Sequence, residues 1–244
     1  MTRPATEPLP TAETKHEFVE AMFDAIAPRY DLLNSVLSLR LDSSWRRVAA
    51  HQTNLKAGDR ALDTCTGTGD FACELARWVG PSGEVIGTDF SREMLRWGEP
   101  KVSKFPNVTL QWADTQALPF PDGHFAAVTV AFGIRNVADT QRGLSEMARV
   151  TKPGGCVVIL EFNRPKNPVV AWGYGIYQKL MPLIGGLISG KRSAYAYLPA
   201  SIDAFHSREE LAGLMETAGL HSIRVTDLNF GTVVIHQGLK GNKK

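Results

Sequence analysis

The chain of 244 residues holds three cysteines, Cys65, Cys73 and Cys156, and no Cys-x-x-Cys pair. An odd, unclustered set excludes a disulfide framework and fits a reducing compartment. Six histidines form no His-x-x-x-His spacing and no Cys/His cluster, so no metal site is expected. The formal net charge is only +2, short of the basic excess that marks nucleic-acid binding, and no nucleic-acid partner is expected. The N-terminal stretch MTRPATEPLPTAETKHE lacks the apolar centre of a signal peptide and the Arg- and Ser-rich, acid-poor character of a transit peptide. Residues 1–12 are read as a flexible tail on a cytoplasmic chain. The longest apolar stretch, residues 169–190, is interrupted by Gln178, Lys179, Pro182 and several glycines, which suit a lone membrane-spanning helix poorly. It reads either as buried cap helices or as a lid that touches lipid or a lipid-like molecule.

What is present is enough apolar sequence for one large α/β domain. Residues 13–56 carry helical spacing, with Phe18, Met22 and Ile26 on one face and Pro28 as a break. From residue 57 strands and helices alternate. RALDTCT, GEVIGTDF, VTLQWAD, FAAVTVAFG and CVVILEF read as strands, and DFACELARWV, SREMLRWGE and DTQRGLSEMARVT as the helices between them. Ser91 is the expected N-cap of the second of these helices. After an apolar insert at 163–204, SREELAGLMETAGL is a helix, and HSIRVTDLNF pairs with TVVIHQGL as antiparallel edge strands. The fold class is α/β: a doubly wound, mainly parallel, Rossmann-like sheet with an antiparallel C-terminal edge, N-terminal helices and a helical cap. One domain spans 13–244. Its parts are helices at 13–56, a cofactor-binding core at 57–162, the cap at 163–204, and a C-terminal helix and strands at 205–244.

The loop DTCTGTGDFA, residues 63–72, fits the G-x-G-x-x-A pattern of dinucleotide sites through Gly67, Gly69 and Ala72. Its carboxylates argue against phosphate. Asp70 stands at the helix start where a pyrophosphate would rest, and Asp63 lies at the strand tip. At a few ångströms each would repel a phosphate charge by roughly 2–4 kcal/mol. S-adenosylmethionine, cationic and free of phosphate, fits better. Asp63 would attract its ammonium group, and the backbone around Gly67, Thr68 and Gly69 would approach it closely. Asp89 ends the second strand where a carboxylate binds ribose hydroxyls. Asp114 and the backbone of Thr115 would meet the adenine. Each aspartate alone reads more simply as a cap or turn residue, but three on successive strand ends share one rim.

LDTCTGTGD, GTDFSREML, ADTQALPFPDGHF, AFGIRNV and RVTKPGG together resemble the class I methyltransferases. YDLLNSVLSLRLDSSW, RVTKPGGCVVILEFN and YLPASIDAF narrow the resemblance to the quinone-biosynthesis C-methyltransferases, the UbiE/MenG family, over nearly the whole chain after the tail. The departures are Leu33 where the family carries Met, Asp42 for His, Thr151 for Leu or Ile, Asn163 for Ser, and Ala131 where a Ser often faces the cofactor. The resemblance implies S-adenosylmethionine as methyl donor and demethylmenaquinol, a prenylated hydroquinone, as acceptor, with a ubiquinone-pathway benzoquinol as the alternative. Deprotonation of the hydroquinone makes the ortho carbon nucleophilic. Arg135 is assigned to stabilising that oxyanion and Asn136 to orienting it. Tyr30 and Asp31 are placed over the site as gate or proton acceptor, and Tyr197 and His206 are weaker candidates. The cap residues Val169, Trp172, Tyr174, Tyr177, Leu180, Leu183 and Leu187 would take the prenyl tail or rest on the inner face of the membrane, with Lys166, Lys179, Lys191 and Arg192 toward anionic headgroups. A homodimer is left open.

Three other readings share the fold. An NAD-dependent oxidoreductase would use the same glycine pattern, and NADH binding separates it. A methyltransferase for another small acceptor or for RNA lacks a supporting basic or aromatic motif here. A non-enzymatic binding module would have no need of intact glycine and aspartate positions.

Overall fold

A computed structural model describes residues 10–189 and 192–241, and the side chains at 12, 179, 181–189 and 192–196 fall outside the description. Most of the expected tail, and the cap side chains of Lys179, Leu183, Leu187, Lys191 and Arg192, therefore lie outside the described residues. The chain opens with α1 (Ala12–Ile26), α2 (Tyr30–Leu37) and α3 (Asp42–Gln52). The alternating core follows: β1 (Arg60–Thr64), α4 (Asp70–Val79), β2 (Glu84–Asp89), α5 (Arg92–Val102), β3 (Val108–Trp112), β4 (Phe125–Ala131), α6 (Thr140–Val150) and β5 (Thr151–Phe162). The insert forms α7 (Pro168–Ser189) and α8 (Arg192–Ala204). The chain then closes with α9 (Arg208–Thr217), β6 (Leu220–Leu228) and β7 (Val233–Lys240).

The strands form a seven-stranded sheet in the order β3-β2-β1-β4-β5-β7-β6. Pairing is parallel from β3 to β5, and β7 runs antiparallel to both β5 and β6. The C-terminal pair is thus antiparallel as expected, but its second strand is the inner one. Its residues explain why: β7 is buried along Val233–Gly238, whereas β6 is largely exposed, the pattern of a covered strand beside an edge strand. Lys152–Gly155 form a bulge within β5, where the register with β4 shifts between Phe125 and Ala127.

Strand periodicity splits the core between the two sheet faces. Ala61, Ala127, Val158 and Leu160 pack with Trp45, Phe71 and Leu75 on one face. Leu62, Val128, Val130, Val157 and Ile159 pack with Leu144 and Met147 on the other. α9 begins at a capping box between Ser207 and Glu210. Among the described residues, no helix is long and apolar enough to cross a membrane.

α5 lies tight against the glycine loop. A Cβ built on Gly98 would meet the Thr68 carbonyl oxygen at 2.8 Å and its carbon at 2.9 Å. Replacing a helical glycine by alanine ordinarily stabilises by about 1 kcal/mol. Here the added methyl meets backbone, and overpacking of this kind costs about 1–3 kcal/mol. Gly98→Ala is therefore expected to lower the melting temperature by several degrees, and an unchanged or raised value in a thermal melt would contradict this packing.

Candidate functional site

Strand order reverses between β1 and β4, so the loops leaving their carboxyl ends turn apart and leave a crevice. Both loops start on strained backbone. Cys65 and Phe132 follow the two strands with φ of 50° and 57°, a left-handed conformation costing a non-glycine residue about 1–2 kcal/mol. The loops approach so closely that a Cβ on Gly133 would lie 2.4 Å from that of Cys65.

Two cavities meet at this crevice. The smaller, about 40 Å³, lies over the tips of β1, β2 and β4 and is lined by Gly67, Asp89, Asp114, Thr115 and Ala131, together with Cys65, Phe90 and Met94. Among the described residues no lysine or arginine lines it. The larger, about 460 Å³, lies between the N-terminal helices and the cap; Arg46, Arg135, Phe162, Tyr174, Tyr177 and Tyr197 are among its walls. Phe23, Tyr30, Phe132 and Asn136 line both cavities.

Asp89 organises the small cavity. Its Oδ2 accepts from the Gly67 N–H at 2.8 Å and its Oδ1 from the Ser91 N–H at 2.9 Å. Burial raises its carboxyl to about 6 against these N–H donors. Ser91 caps α5 by accepting from the Met94 N–H, and its hydroxyl donates to Asp24 of α1 at 2.5 Å. On the same helix the Lys15 ammonium donates to the Val137 carbonyl at 2.9 Å, and the His16 ring packs on Phe90 with centroids 5.0 Å apart. α1 therefore roofs the small cavity from one side to the other.

Of the aspartates read from the strand ends, only Asp89 is the last residue of its strand. Asp114 stands two residues beyond β3; its Oδ1 accepts from the Gln116 N–H in a local turn. Asp63 lies inside β1 and lines neither cavity. Its Oδ2 accepts from the Thr66 hydroxyl at 2.6 Å and its Oδ1 from the Thr129 hydroxyl at 2.8 Å. Asp63 thus props the loop from beneath, its carboxylate held between the hydroxyls of Thr66 and Thr129. Asp31 pairs with Lys101 at 2.8 Å, accepts from the Thr68 hydroxyl at 2.6 Å and lines neither cavity. Lys101 also pairs with Asp70, so Asp70 does not present an uncompensated charge at the start of α4. Thr68 and Gly69 likewise line neither cavity. His206 lines neither cavity, whereas Tyr197 does.

The larger cavity has a charged floor. Arg135 and Glu161 form a buried pair at 2.7 Å, with side chains 7% and 1% exposed. The Arg135 Nη1 also donates to the Phe132 carbonyl, the guanidinium stacks on Phe162, and the Nε is buried without a hydrogen-bond partner. Burial raises Glu161 and Arg135 opposes the rise. The Arg135 charge is thus compensated by Glu161. Beside it, the Asn136 Oδ1 accepts from the Tyr197 hydroxyl at 3.2 Å, which leaves the amide nitrogen as donor. Asp42, the departure noted in the first signature, pairs with Arg46 at 2.5 Å and accepts from Ser38; burial works against its ionised form, but these partners hold it below the ordinary carboxylate range.

The roof and the shared wall had a faint sequence signal. His16 and Phe23 stand seven apart in α1 and so share a face, but nothing in the chain marks that face as lying over β2. Among the described residues there is no cluster of His, Cys, Asp or Glu able to hold a metal ion.

Burial raises the Asp63 carboxyl to about 7, against the lowering effect of its two threonine donors. The folded chain then holds this proton more tightly than the unfolded chain. The associated stability is present below the unfolded value near 4 and is lost as pH rises through about 7. Asp63→Asn is expected to flatten the decline of stability across that window; urea unfolding of both proteins at pH 5 and pH 8 measures it, and parallel declines would refute it.

A model of the ubiE/COQ5 methyltransferase family matches residues 11–240. The ubiquinone/menaquinone biosynthesis C-methyltransferase UbiE of Geobacter sulfurreducens is 46% identical, over 94% of this chain and 91% of its own. The demethylmenaquinone methyltransferase of Thermus thermophilus is 47% identical, over 89% of this chain and 99% of its own. Among solved structures, a SAM-dependent methyltransferase from Aquifex aeolicus superposes with a TM-score of 0.60 at 22% identity, covering 82% of this chain and 92% of that one, which supports the fold.

Proposed function

Because the chain belongs to the ubiE/COQ5 methyltransferase family, we propose that it methylates a ring carbon of demethylmenaquinol, using S-adenosylmethionine as donor. The observation that carries this reading is the pair of cavities joined through Phe23, Tyr30, Phe132 and Asn136. One is small and carries the carboxylates Asp89 and Asp114, with no lysine or arginine among its described lining residues; the other is large and walled by aromatic residues. A donor and an apolar acceptor would meet across that wall.

The small cavity suits S-adenosylmethionine by its donor set. Both Asp89 oxygens keep lone pairs for a ribose diol beyond the two N–H groups they already accept. Asp114 and Thr115 stand where an adenine edge would be read, and Cys65, Met94 and Phe90 offer an apolar bed. When bound, the cofactor supplies an electrophilic methyl group on a cationic sulfur. Asp63, Thr68 and Gly69 act at one remove, by holding the loop.

In the large cavity the Arg135 guanidinium and the Asn136 amide nitrogen would donate to a phenolic oxygen. These donors favour its ionised form and so raise electron density at the adjacent ring carbon. Tyr197 fixes the rotamer of Asn136, and Glu161 fixes Arg135. No histidine lines the large cavity, and its carboxylate Asp42 is already paired. The phenolic proton is therefore assigned to water. The α1 roof keeps bulk solvent from the transfer path, where a positive and a negative charge neutralise each other. A prenylated acceptor would put the working enzyme at the inner face of a membrane.

Mass spectrometry of a reaction with demethylmenaquinone, with and without reductant, tests the substrate. A gain of one methyl only in the reduced sample is expected; methylation of the oxidised quinone would overturn the phenolate chemistry. A demethylated benzoquinol belongs in the same assay, because the Geobacter relative is named for both quinones. Asn136→Ala is expected to lower kcat by roughly 10²-fold. Asp89→Asn is expected to weaken cofactor binding about tenfold or more, measured by calorimetry, while the fold is retained.

A further inference from the structure

The large cavity holds a second buried arginine that the proposed chemistry does not use. Arg46, on α3, lines the cavity beside Arg135 and Asn136. Its Nη1 donates to Asp42 at 2.5 Å, and its Nη2 stands 3.9 Å from Asp70, beyond hydrogen-bond reach. A guanidinium carries five N–H groups. Among the described residues, the bond to Asp42 is the one hydrogen bond that this side chain makes. Burial works against its charge, and Asp70 and Asp42 more than restore it.

Arg46 and Arg135 share one aromatic floor, each over a different ring. The Arg46 guanidinium lies 5.9 Å from the centroid of Phe132, and the Arg135 guanidinium 5.6 Å from that of Phe162. The two rings pack on each other with centroids 4.6 Å apart. All four residues line the cavity. Burial raises the Tyr30 phenol in the wall alongside, and both guanidiniums are near enough to oppose the rise.

A hydroquinone ring carries two oxygens, on opposite sides. Arg135 and Asn136 would meet the one beside the reacting carbon. The other enters a chamber of rings and aliphatic side chains, where a hydroxyl without a partner is unfavourable. The hydroxyls of Ser38, Tyr177, Tyr197 and Thr232 line the same chamber but already donate within the protein. We infer that Arg46 receives the second oxygen, with the ring lying on Phe132 and Phe162 between the two guanidiniums, and that Asp42 positions Arg46 for this contact. The inference rests on the proposed quinol reading, which supplies the ring. Asp42 fixes one Nη and compensates the charge, so the remaining N–H groups are offered without an unpaired cation in the chamber. Ser38 in turn holds Asp42. The carboxylate at this departure from the first family signature thereby gains a task that a neutral imidazole would perform less firmly.

Steady-state kinetics on two water-soluble, short-tailed acceptors test the assignment. One is the demethylated naphthoquinol; the other is the naphthol that keeps the hydroxyl beside the reacting carbon and lacks the second. The double variant Asp42→Asn, Arg46→Met removes the pair together and leaves no buried charge unpaired. It is expected to lower kcat/KM for the quinol about tenfold, chiefly through KM, and to leave that for the naphthol within about twofold of the parent. Arg46→Lys keeps a cation beside Asp42 but loses the planar fork. It is expected to fall between the parent and the double variant on the quinol and to match the parent on the naphthol. If a thermal melt shows the double variant unfolded, the comparison is read from Arg46→Lys. Equal losses on both acceptors, or no loss on the quinol, would overturn the role of Arg46 and spare the quinol reading. Weaker S-adenosylmethionine binding in calorimetry, with the quinol-to-naphthol ratio unchanged, would also overturn it and assign Arg46 to the glycine loop through Asp70. If the parent methylates neither acceptor, the quinol reading falls and the role of Arg46 falls with it.

Discussion

The site depends on one carboxylate. Asp89 ends β2, and with its two oxygens it ties the backbone of the glycine loop to the first turn of α5. Its neighbour Ser91 passes the constraint on to α1 through Asp24. Three segments far apart in sequence are thereby set against one another by a few hydrogen bonds. The cost is a buried acid with its carboxyl pushed up to about 6. A charged group kept in an unfavourable place is itself a pointer to a site where that charge is used.

Much of the framework is legible in the chain. β1, α4 and β2 follow from apolar runs that change period at Gly67–Gly69, and the Ser91 cap is readable from its place before an amphipathic helix. Of the three aspartates read from the strand ends, Asp89 and Asp114 line the small cavity and Asp63 does not. Less legible was what each carboxylate does there. Asp63 and Asp89 look alike in sequence, each at the end of an apolar run, but Asp63 turns into the sheet and Asp89 turns over it. The difference is one of side-chain direction and of partners such as Thr129, 66 residues away. Lys101 could not be matched to Asp70 and Asp31 by inspection, since the contact exists only once α5 packs against the loop. Arg135 lies past β4, in a 3-10 turn at Ile134–Asn136, and its pairing with Glu161 depends on β5 lying beside β4.

The smaller cavity sets two carboxylates, Asp89 and Asp114, in a lining that is otherwise largely apolar, and the larger is walled mainly by rings and aliphatic side chains around Arg46, Arg135 and Asn136. Of the polar donors that line the large cavity, Arg135 and Asn136 are each held by a neighbour. Such preorganisation keeps the reacting groups from needing to rearrange, which is how fixed dipoles lower a barrier in a space that excludes water.

The wall common to both cavities is built partly from the N-terminal segment, through Phe23 and Tyr30, and the same segment roofs the small cavity through His16. Recognition of the two reactants is therefore not modular. A substitution in α1 or α2 that admits a different ring also disturbs the cover over the other chamber. Drift toward new acceptors is easier through the α7 and C-terminal walls, which line only the larger chamber. The fold thus carries one conservative side and one adaptable side, and a lineage exploring new substrates would be expected to record its changes on the second.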